Sequence, residues 1–485
     1  MGNEYCIWKS FDYSGNGLEF LDLFSDEPFL FFLDSSLRTT GRGRYSFIGF
    51  DPFQIFSAKD RNCLAEMRNH FNPYAQPYPG VPTPFCSGLV GYFGYDFGRQ
   101  LEEVSWTVSH DQAKDDLLIP DCLFGFYDCI LTIDHFKQKL HITSTGLPEK
   151  QSFLIQQRAD ERLKGIIKRL SDGERRGYSH ERCMNELVGD SAEAPLISNF
   201  TRENYLKAIG QALDYIRQGD IYQVNLSQRF TCDWADERAP ADSLELYKSV
   251  RKFSPSHFGG YFNAGDFQIV SSSPERFLKK EGRIVQTRPM KGTRPRAKAW
   301  DDDRRFKEEL WNSKKEIAEL LMVTDLERND LGRVCEYGSV KVTELRSLEE
   351  YATVFQTTAT IAGVLREDKD CFDLMAACFP SGSVTGCPKI RAMEVIAELE
   401  PARRGVYTGS LGYIGFNGEM DFNVLIRSLL VQKSKVHFHV GGGIVADSIP
   451  ENEYQETFIK ARALMKSLQK FYGSTRFQTG SNAIF

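Results

Sequence analysis

The 485-residue chain lacks any run of about 18 apolar residues, so no segment is expected to cross a membrane. Its residues 1–6 do not join a basic stretch to an apolar one and therefore do not resemble a signal peptide. The myristoylation pattern is incomplete as well, because Cys6 stands where Ser or Thr is required. These absences predict a cytoplasmic protein.

Patterns for disulfides and zinc are missing too. The 11 cysteines are odd in number, scattered and without a C-x-x-C pair, which favours reduced thiols. The net charge of −6 gives no reason to expect nucleic acid or an anionic membrane as a partner. Hydrophobic residues are 41% and charged residues 26%, which is typical of a soluble globular protein.

The length exceeds what a single core usually supports, so we expect two lobes or one elaborated architecture. Residues 1–170 are interpreted as an amino-terminal region of strands and turns that ends in a helix over 152–170. The polar residues 171–198 predict a surface loop or linker, a more regular region covers 199–475, and 476–485 form a tail. A helix capped by Thr201, a helical region over 301–330 and a strand over 420–431 favour an α+β or mixed α/β fold.

A short segment over 286–295 places Lys291 between Pro289 and Gly292. Two prolines and a glycine are expected to hold the backbone in a fixed loop at the end of a strand. A lysine held there can be desolvated, which lowers its pKa and frees an amine nucleophile. An exposed turn lysine is the alternative, and the local sequence alone favours that alternative.

Glu275 follows an apolar strand and stands between Pro274 and Arg276. A carboxylic acid in this position can protonate a leaving hydroxyl group. A Glu–Arg pair at the surface is the alternative, and it is favoured when the segment is considered alone.

Two helical segments carry carboxylates that suit a hard cation. The first is predicted to bury a stripe formed by Ile317, Leu320, Leu321 and Thr324. Glu319 lies beside this stripe, and in the last helix Glu453, Glu456 and Lys460 share one face. A Glu456–Lys460 surface pair is the simpler explanation. The functional alternative is Mg²⁺, which often takes one or two carboxylates plus substrate and water.

Two loops of small residues could bring the backbone close to a ligand. Residues 379–389 lead into a helix, where backbone N–H groups could receive an anion, although the phosphate-loop spacing is absent. The glycines at 441–443 permit close approach of a ligand. Arg427, predicted to lie within a strand, offers a guanidinium group suited to a carboxylate.

In order along the chain, these segments resemble the chorismate-utilising enzymes, the family of anthranilate, aminodeoxychorismate, isochorismate and salicylate synthases. The segments that carry the resemblance are 219–226, 273–277, 325–333, 382–389 and 441–448. It runs from about 201 to 468 and is looser at 33–36 and 43–49. The resemblance implies an α+β fold like that of anthranilate synthase component I, with two large antiparallel sheets facing each other and helices outside. It also implies that 199–475 form the chorismate-binding catalytic region.

Two positions within the family indicate the nucleophile. Family members that add water carry a lysine base where this chain has Gln223, and a neutral amide cannot usefully accept a proton from water, so a nitrogen nucleophile is implied. Anthranilate synthases carry Pro-Ile-Ala-Gly-Thr around the position of Lys291, whereas component I of aminodeoxychorismate synthase carries Pro-Ile-Lys-Gly-Thr. The sequence here is Pro-Met-Lys-Gly-Thr. The resemblance therefore implies formation of 4-amino-4-deoxychorismate, a step of 4-aminobenzoate and folate biosynthesis.

The resemblance also implies a mechanism. Lys291 attacks C2 of chorismate while the C4 hydroxyl leaves, protonated by Glu275, and ammonia then attacks C4 and expels the lysine. Mg²⁺, held by Glu319 and Glu456 with Glu453 nearby, is expected to bind the ring carboxylate. The remaining substrate-binding candidates are Thr293, Thr385, Tyr407, Arg427, Gly442, Gly443 and Lys460.

Expected partners follow from the same resemblance. No segment resembles a glutamine amidotransferase, so ammonia is expected from a separate glutaminase subunit or from solution. Five residues resemble the tryptophan pocket of the family, namely Leu33, Ser35, Arg44, Tyr45 and Phe258. Tryptophan is therefore a candidate second ligand. Asp34 departs from the glutamate-like residue usual in that pocket.

Two other functions remain as alternatives. Anthranilate synthase component I would have to eliminate pyruvate without Lys291 as a nucleophile. An inactive regulatory subunit that binds tryptophan and a glutaminase is opposed by the intact Lys291, Glu275, Glu319 and Glu456. Gln356 stands where many relatives carry a histidine, and its presence fits a non-aromatising enzyme if that histidine assists elimination.

Overall fold

The computed structural model describes residues 6–39, 41–102, 113–175, 196–234, 239–351 and 354–472. The predicted tail over 476–485 and most of the predicted loop over 171–198 lie outside the described residues. The helix that was predicted to end at 170 continues to Arg175. Within the described part of the chain, no helix is long and apolar enough to cross a membrane.

Twenty-two strands and ten helices cover the described residues. The strands are β1 (Ile7–Asp12), β2 (Phe31–Asp34), β3 (Tyr45–Gly49), β4 (Gln54–Ala58), β5 (Gly88–Phe93), β6 (Cys122–Tyr127), β7 (Cys129–Asp134), β8 (Lys139–Ser144), β9 (Ile197–Ser198), β10 (Gln223–Asp233), β11 (Phe258–Asn263), β12 (Phe267–Ser273), β13 (Arg276–Glu281), β14 (Ile284–Arg288), β15 (Met290–Pro295), β16 (Lys341–Glu350), β17 (Val354–Val364), β18 (Gly386–Cys387), β19 (Ser410–Gly415), β20 (Met420–Asn423), β21 (Ser428–Gln432) and β22 (Lys435–Ile444). The helices are α1 (Leu18–Leu23), α2 (Leu64–Phe71), α3 (Ser152–Arg175), α4 (Arg202–Gln218), α5 (Ala239–Phe253), α6 (Trp300–Asn312), α7 (Lys314–Gly332), α8 (Cys371–Cys378), α9 (Lys389–Leu399) and α10 (Pro450–Tyr472).

The strands form two large antiparallel sheets. The 12-stranded sheet has the order β1-β8-β7-β3-β2-β11-β12-β21-β22-β10-β18, with β9 also paired to β10. The 10-stranded sheet has the order β15-β17-β14-β13-β20-β19-β5-β6-β4, with β16 also paired to β17. Strands from before residue 150 and after residue 200 are neighbours in both sheets, as in the β2–β11 and β5–β19 pairs. The amino-terminal and carboxy-terminal regions therefore build one architecture, and the α+β fold with two facing sheets is confirmed.

An aromatic layer fills the space between the sheets. Phe47 of the larger sheet packs edge-on against Tyr413 of the smaller one, with ring centroids 5.4 Å apart. Phe31 and Tyr127 make a similar contact at 4.7 Å. Both geometries are preferred by aromatic quadrupoles. This layer fixes how the sheets face each other.

The helices cover the outer faces of both sheets. Helices α1, α3, α5 and α10 pack with the 12-stranded sheet in one buried cluster. Helices α2, α7 and α8 pack with the 10-stranded sheet in another, and α4 and α9 pack against β10. The predicted cap of α4 is confirmed, because the Thr201 side chain accepts a hydrogen bond from the N–H of Asn204.

The predicted helical region over 301–330 is present as two helices, because Ser313 leaves the helical conformation and its side chain caps α7. Two other local predictions were wrong. The strand over 420–431 is interrupted between β20 and β21, where Arg427 adopts a left-handed φ of 51°. Leu321, predicted to be buried with Leu320, is 46% exposed, since the buried face of α7 passes through Val323 instead.

Candidate active site

Lys291 lies in a strand and not in the predicted loop. β14 and β15 both pair with β17, and the register shifts between Lys291 and Thr293 at Gly292, whose φ is 73°. This bulge replaces the turn expected from the prolines and the glycine. The Lys291 ammonium donates to the carbonyl oxygen of Ser383 at 2.9 Å. Burial lowers the pKa of Lys291, although Glu319 and Glu275 oppose the shift.

Glu275 is almost fully buried, with 3% of its surface exposed. Its Oε1 accepts a hydrogen bond from the Ser383 hydroxyl at 2.6 Å. Burial raises the pKa of Glu275 to about 7, while the nearby Lys291 lowers it. A carboxyl group with this pKa is half protonated near neutral pH and can act as a general acid.

Gln223 is fully buried at the start of β10, beside the glycine segment of β22. Neither Oε1 nor Nε2 of Gln223 has a hydrogen-bond partner among the described residues. A methyl group added at Gly443 would lie 2.8 Å from Gln223 Nε2 and 3.7 Å from Lys291 Nζ. An unpaired buried amide is costly, so this arrangement suits a ligand that offers both a donor and an acceptor beside Lys291.

Two of the predicted metal ligands, one on α7 and one on α10, lie close to the same lysine ammonium group. Lys315 Nζ lies 3.8 Å from Glu319 Oε1 and 3.5 Å from Glu453 Oε1. The Ser448 hydroxyl donates to the same Glu453 oxygen at 2.7 Å. Burial raises the pKa of Glu319. The site between α7 and α10 therefore already accommodates one positive charge.

Glu456, the third predicted metal ligand, is paired with Lys460. Their Oε1 and Nζ atoms are 2.6 Å apart, and Lys460 also donates to the Gly441 carbonyl at 3.0 Å. A methyl group at Gly442 would lie 3.4 Å from Glu453 Oε2 and 3.6 Å from Glu456 Oε1. The glycine segment thus runs directly beside the carboxylates.

Mg²⁺ is a hard cation that prefers oxygen ligands, which the carboxylates of α7 and α10 can supply. Across the described ranges, no group of three or more His, Cys, Asp or Glu side chains is arranged to hold a metal ion. Magnesium nevertheless often takes one or two carboxylates and completes its shell with water and substrate. Oxygen donors that already flank the Lys315 ammonium fit that requirement.

Thr293, Gln356 and Arg427 are connected by hydrogen bonds. The Gln356 amide donates to Thr293 Oγ1 and accepts from Arg427 Nη2, each at 3.3 Å. Burial lowers the pKa of Arg427. Gln356 therefore links two of the residues that were predicted to bind substrate, and a backbone strained at Arg427 is typical of functional sites.

The remaining predicted substrate ligands are more enclosed. The Tyr407 ring stacks on His439 with centroids 5.0 Å apart. Thr385 is fully buried, and its hydroxyl donates to the Ser381 carbonyl at 2.8 Å. In the same loop, the Gly382 N–H, predicted to be available to an anion, donates to the chain's own Glu327 at 3.1 Å.

A cavity of about 390 Å³ lies between the two sheets. Its lining includes all five residues of the predicted tryptophan-like pocket, namely Leu33, Ser35, Arg44, Tyr45 and Phe258. The guanidinium of Arg276 stacks over Phe258 at 4.7 Å. Asp34 is turned toward Tyr247 and Arg251, which donate to it at 2.8 and 2.6 Å.

Sequence reasoning missed three residues of the site: Ser383, Lys315 and Glu327. The loop that contains Ser383 was examined only for its backbone N–H groups. Glu327 lies seven residues after Leu320 on the buried face of α7, and a carboxylate at that spacing was a usable signal. Lys315 and Glu319 are four residues apart on α7, which was a usable signal, whereas the contact of Lys315 with Glu453 joins two distant helices and could not be predicted locally.

Comparisons with known proteins identify the family to which the chain is similar. A family model described as chorismate binding enzyme matches residues 31–466. Anthranilate synthase component 1 of Thermus thermophilus is 39% identical over 463 residues, covering 93% of this chain and 94% of that protein. Aminodeoxychorismate synthase component 1 of Bacillus subtilis is 34% identical over 452 residues, covering 89% and 91%. The crystal structure of anthranilate synthase component I from Streptococcus pneumoniae gives a TM-score of 0.73 at 28% identity, covering 88% of this chain and 93% of that one.

Proposed function

The chain belongs to the family of chorismate binding enzymes, and we propose that it converts chorismate and ammonia to 4-amino-4-deoxychorismate, as component I of an aminodeoxychorismate synthase. The observation that carries the proposal is the position of Lys291. Its amine has a pKa lowered by burial, and it lies in the same site as the acid Glu275 and the unpaired amide of Gln223. A buried lysine with a lowered pKa is suited to nucleophilic catalysis.

The reaction then proceeds in two displacements. In the first, the Lys291 lone pair forms a bond to C2, the ring double bonds shift, and the C4–O bond breaks. The leaving oxygen takes the proton of Glu275 and departs as water. In the second, ammonia forms the C4–N bond as the C2–N bond breaks, and the proton released from the new ammonium group returns to Glu275. Two easier steps thus replace one difficult displacement.

Gln223 is positioned to hold the nitrogen nucleophile. Its carbonyl oxygen can accept an N–H, and its unpaired state in the fold supports such a contact. A neutral amide takes no proton from the nucleophile, which suits ammonia, whose lone pair is already free. We assign Gln223 the role of orienting ammonia toward C4.

The substrate carboxylates are held by positive charge. Glu319 and Glu456, with Glu453 nearby, would hold Mg²⁺, which would supply a positive charge for the ring carboxylate. Lys460 and Arg427 provide further cations. Thr293, Thr385, Tyr407 and the backbone of Gly442 and Gly443 would complete the substrate contacts.

We further propose two partners. A separate glutaminase subunit would supply ammonia, and the word "component" in the names of the relatives supports this. The cavity between the sheets would hold tryptophan, whose indole suits Phe258 and Tyr45. Titration calorimetry of the purified chain with tryptophan tests the second proposal, and absence of heat at millimolar concentration would contradict it.

Anthranilate synthase component I is a second candidate, and the relatives favour it. The Thermus thermophilus protein and the Streptococcus pneumoniae structure both carry that name. In that reaction the nitrogen is added at C2 and pyruvate is then eliminated. The amine of Lys291 beside Glu275 is the feature that argues for the first candidate instead.

Product identification separates the two candidates. The purified chain is incubated with chorismate, Mg²⁺ and ammonium, and the products are separated by chromatography. We expect a product that becomes 4-aminobenzoate only after aminodeoxychorismate lyase is added, and we expect Lys291→Ala to lose it. Anthranilate formed directly by the wild-type chain would overturn the first candidate and establish the second. Unchanged chorismate would favour a regulatory subunit.

A further inference from the structure

Four buried oxygen groups form a continuous chain that ends at Glu275. Glu275 Oε1 contacts Ser383 Oγ at 2.6 Å, Ser383 Oγ contacts Ser381 Oγ at 2.9 Å, and Ser381 Oγ contacts Glu327 Oε1 at 2.9 Å. The exposed fractions of the four residues are between 1% and 4%. The chain joins the general acid to a second carboxyl group on the buried face of α7.

The hydrogen atoms available to this hydrogen-bonded chain of four side chains can be counted. Three contacts between oxygens require three hydrogens, but two serine hydroxyls supply only two. With both carboxyls ionised, Ser383 must donate to Glu275 and Ser381 to Glu327, so the contact between the serines has no hydrogen. One additional proton on either carboxyl group supplies the missing hydrogen, and all three hydrogen bonds then point in the same direction. We propose that Glu275 and Glu327 share one proton through Ser383 and Ser381, and that Glu327 and Ser381 are thereby positioning residues that keep Glu275 protonated.

The proton resides mainly at the Glu275 end. Glu327 accepts two further hydrogen bonds, from Thr287 Oγ1 at 3.2 Å and from the Gly382 N–H at 3.1 Å. Such donors stabilise a carboxylate. Burial raises the pKa of both carboxyl groups, which agrees with a single shared negative charge.

Charged groups on neighbouring elements face both ends of the chain. Lys291 of β15 and the buried Arg427 face Glu275. Lys389 at the start of α9 and Asp330 of α7 lie near Glu327, and they are paired with each other at 2.6 Å. The Lys389–Asp330 pair is close to neutral, so the loss of the link through Ser381 is the main change when that residue is substituted.

The shared proton has a defined place in the proposed reaction, on which this part of the inference rests. Glu275 gives its proton to the departing C4 oxygen, which leaves as water, and two linked carboxylates remain. Their repulsion and the unfilled contact between the serines favour recapture of a proton. That proton comes from the ammonium group formed when ammonia adds at C4. The cycle takes up no net proton.

Ser381→Ala tests the inference without any substrate. The variant removes the link, so Ser383 is free to donate to an ionised Glu275, and the pKa of Glu275 should fall by about one unit, a tenfold change in its acid dissociation constant. Infrared difference spectra of the full-length protein across pH report the band of the protonated carboxyl group, and the loss of that band in Glu275→Gln assigns it to Glu275. The titration midpoint is the pH at which this band has half its full intensity. Ser381→Thr retains a hydroxyl group and should restore the wild-type midpoint.

The matched control is Thr324→Val. Thr324 lies on α7 and, like Ser381, has a buried hydroxyl group. This hydroxyl donates to the Leu320 carbonyl and takes no part in the hydrogen-bonded chain that ends at Glu275. The Thr324→Val variant should leave the titration midpoint of Glu275 unchanged. Should Ser381→Ala fail to fold, Glu327→Gln is measured instead, and loss of the carboxylate charge should lower the midpoint in the same direction.

A midpoint in Ser381→Ala equal to those of the wild type and Thr324→Val would overturn the inference. In the enzyme assay, the alkaline limb of kcat/KM at constant free ammonia should move to lower pH in Ser381→Ala, and a uniform loss at all pH values would also contradict it. The infrared spectra need no chorismate, so the two proposals can fail separately. If the wild-type protein forms anthranilate while Ser381→Ala still shows the shifted midpoint, only the proposed function is overturned.

Discussion

Gly443→Ala tests the contact between the glycine segment and the amide of Gln223. Gly443 lies in β22 and is not among the glycines with a left-handed backbone, so alanine is compatible with its conformation. The added methyl group would lie 2.8 Å from Gln223 Nε2, whereas ordinary contact begins at 3.4 Å. Either the amide or the strand must therefore move by about 0.6 Å.

This displacement sets the expected magnitude. A misplacement of about 1 Å in an active site can cost roughly a hundredfold in rate. A shift of about half that size should lower kcat/KM by roughly tenfold to a hundredfold, or about 1.4 to 2.7 kcal/mol. The free energy of unfolding should change much less, because the fully buried Gln223 side chain makes no hydrogen bond within the described residues that the methyl group could break.

The assay is a steady-state rate measurement with chorismate and ammonium, combined with denaturant unfolding. The control is the double variant Gln223→Ala with Gly443→Ala, compared with Gln223→Ala alone. Once the amide is gone, the added methyl group has no close contact with it and should cost little further activity. Full activity in Gly443→Ala, or an equally large loss on the Gln223→Ala background, would refute the reasoning.

Two further predictions concern charge. Lys315→Met removes the ammonium between Glu319 and Glu453, so Mg²⁺ affinity measured by titration calorimetry should rise by about fivefold; unchanged or weaker binding would argue against a metal at this place. Arg404→Met leaves Glu400 as an unpaired charge in the core, where the two side chains are 1% and 3% exposed. It should lower the free energy of unfolding by about 3 to 5 kcal/mol in a denaturant titration, and a loss below about 1 kcal/mol would contradict this.

Local patterns predicted several elements but not their interruptions. The cap at Thr201 follows from a short-range preference, and it is present. The break at Arg427 could not be read from the sequence, because arginine has no preference for a left-handed φ. Long-range contacts accompany the break: the Val424 N–H bonds to the Glu275 carbonyl, and the Ser272 N–H bonds to the Arg427 carbonyl.

The residues of the candidate site were likewise predicted only in part from the sequence. Lys291, Glu275 and the carboxylates were predicted as site residues from motifs in order along the chain, and the structure brings them close together. The bulge at Gly292 and the contact between Lys315 and Glu453 depend on how β17, α7 and α10 pack, which no local pattern encodes. The hydroxyl chain behind Glu275 was missed because its members come from three separate segments.

The central claim is that Lys291 bonds to the substrate. The chain is incubated with chorismate and Mg²⁺ in the absence of ammonium, digested, and examined by mass spectrometry. We expect the peptide that contains Lys291 to carry the mass of chorismate less one water, and this adduct to disappear when ammonium is added. Turnover without any adduct, together with a wild-type rate in Lys291→Ala, would contradict the claim.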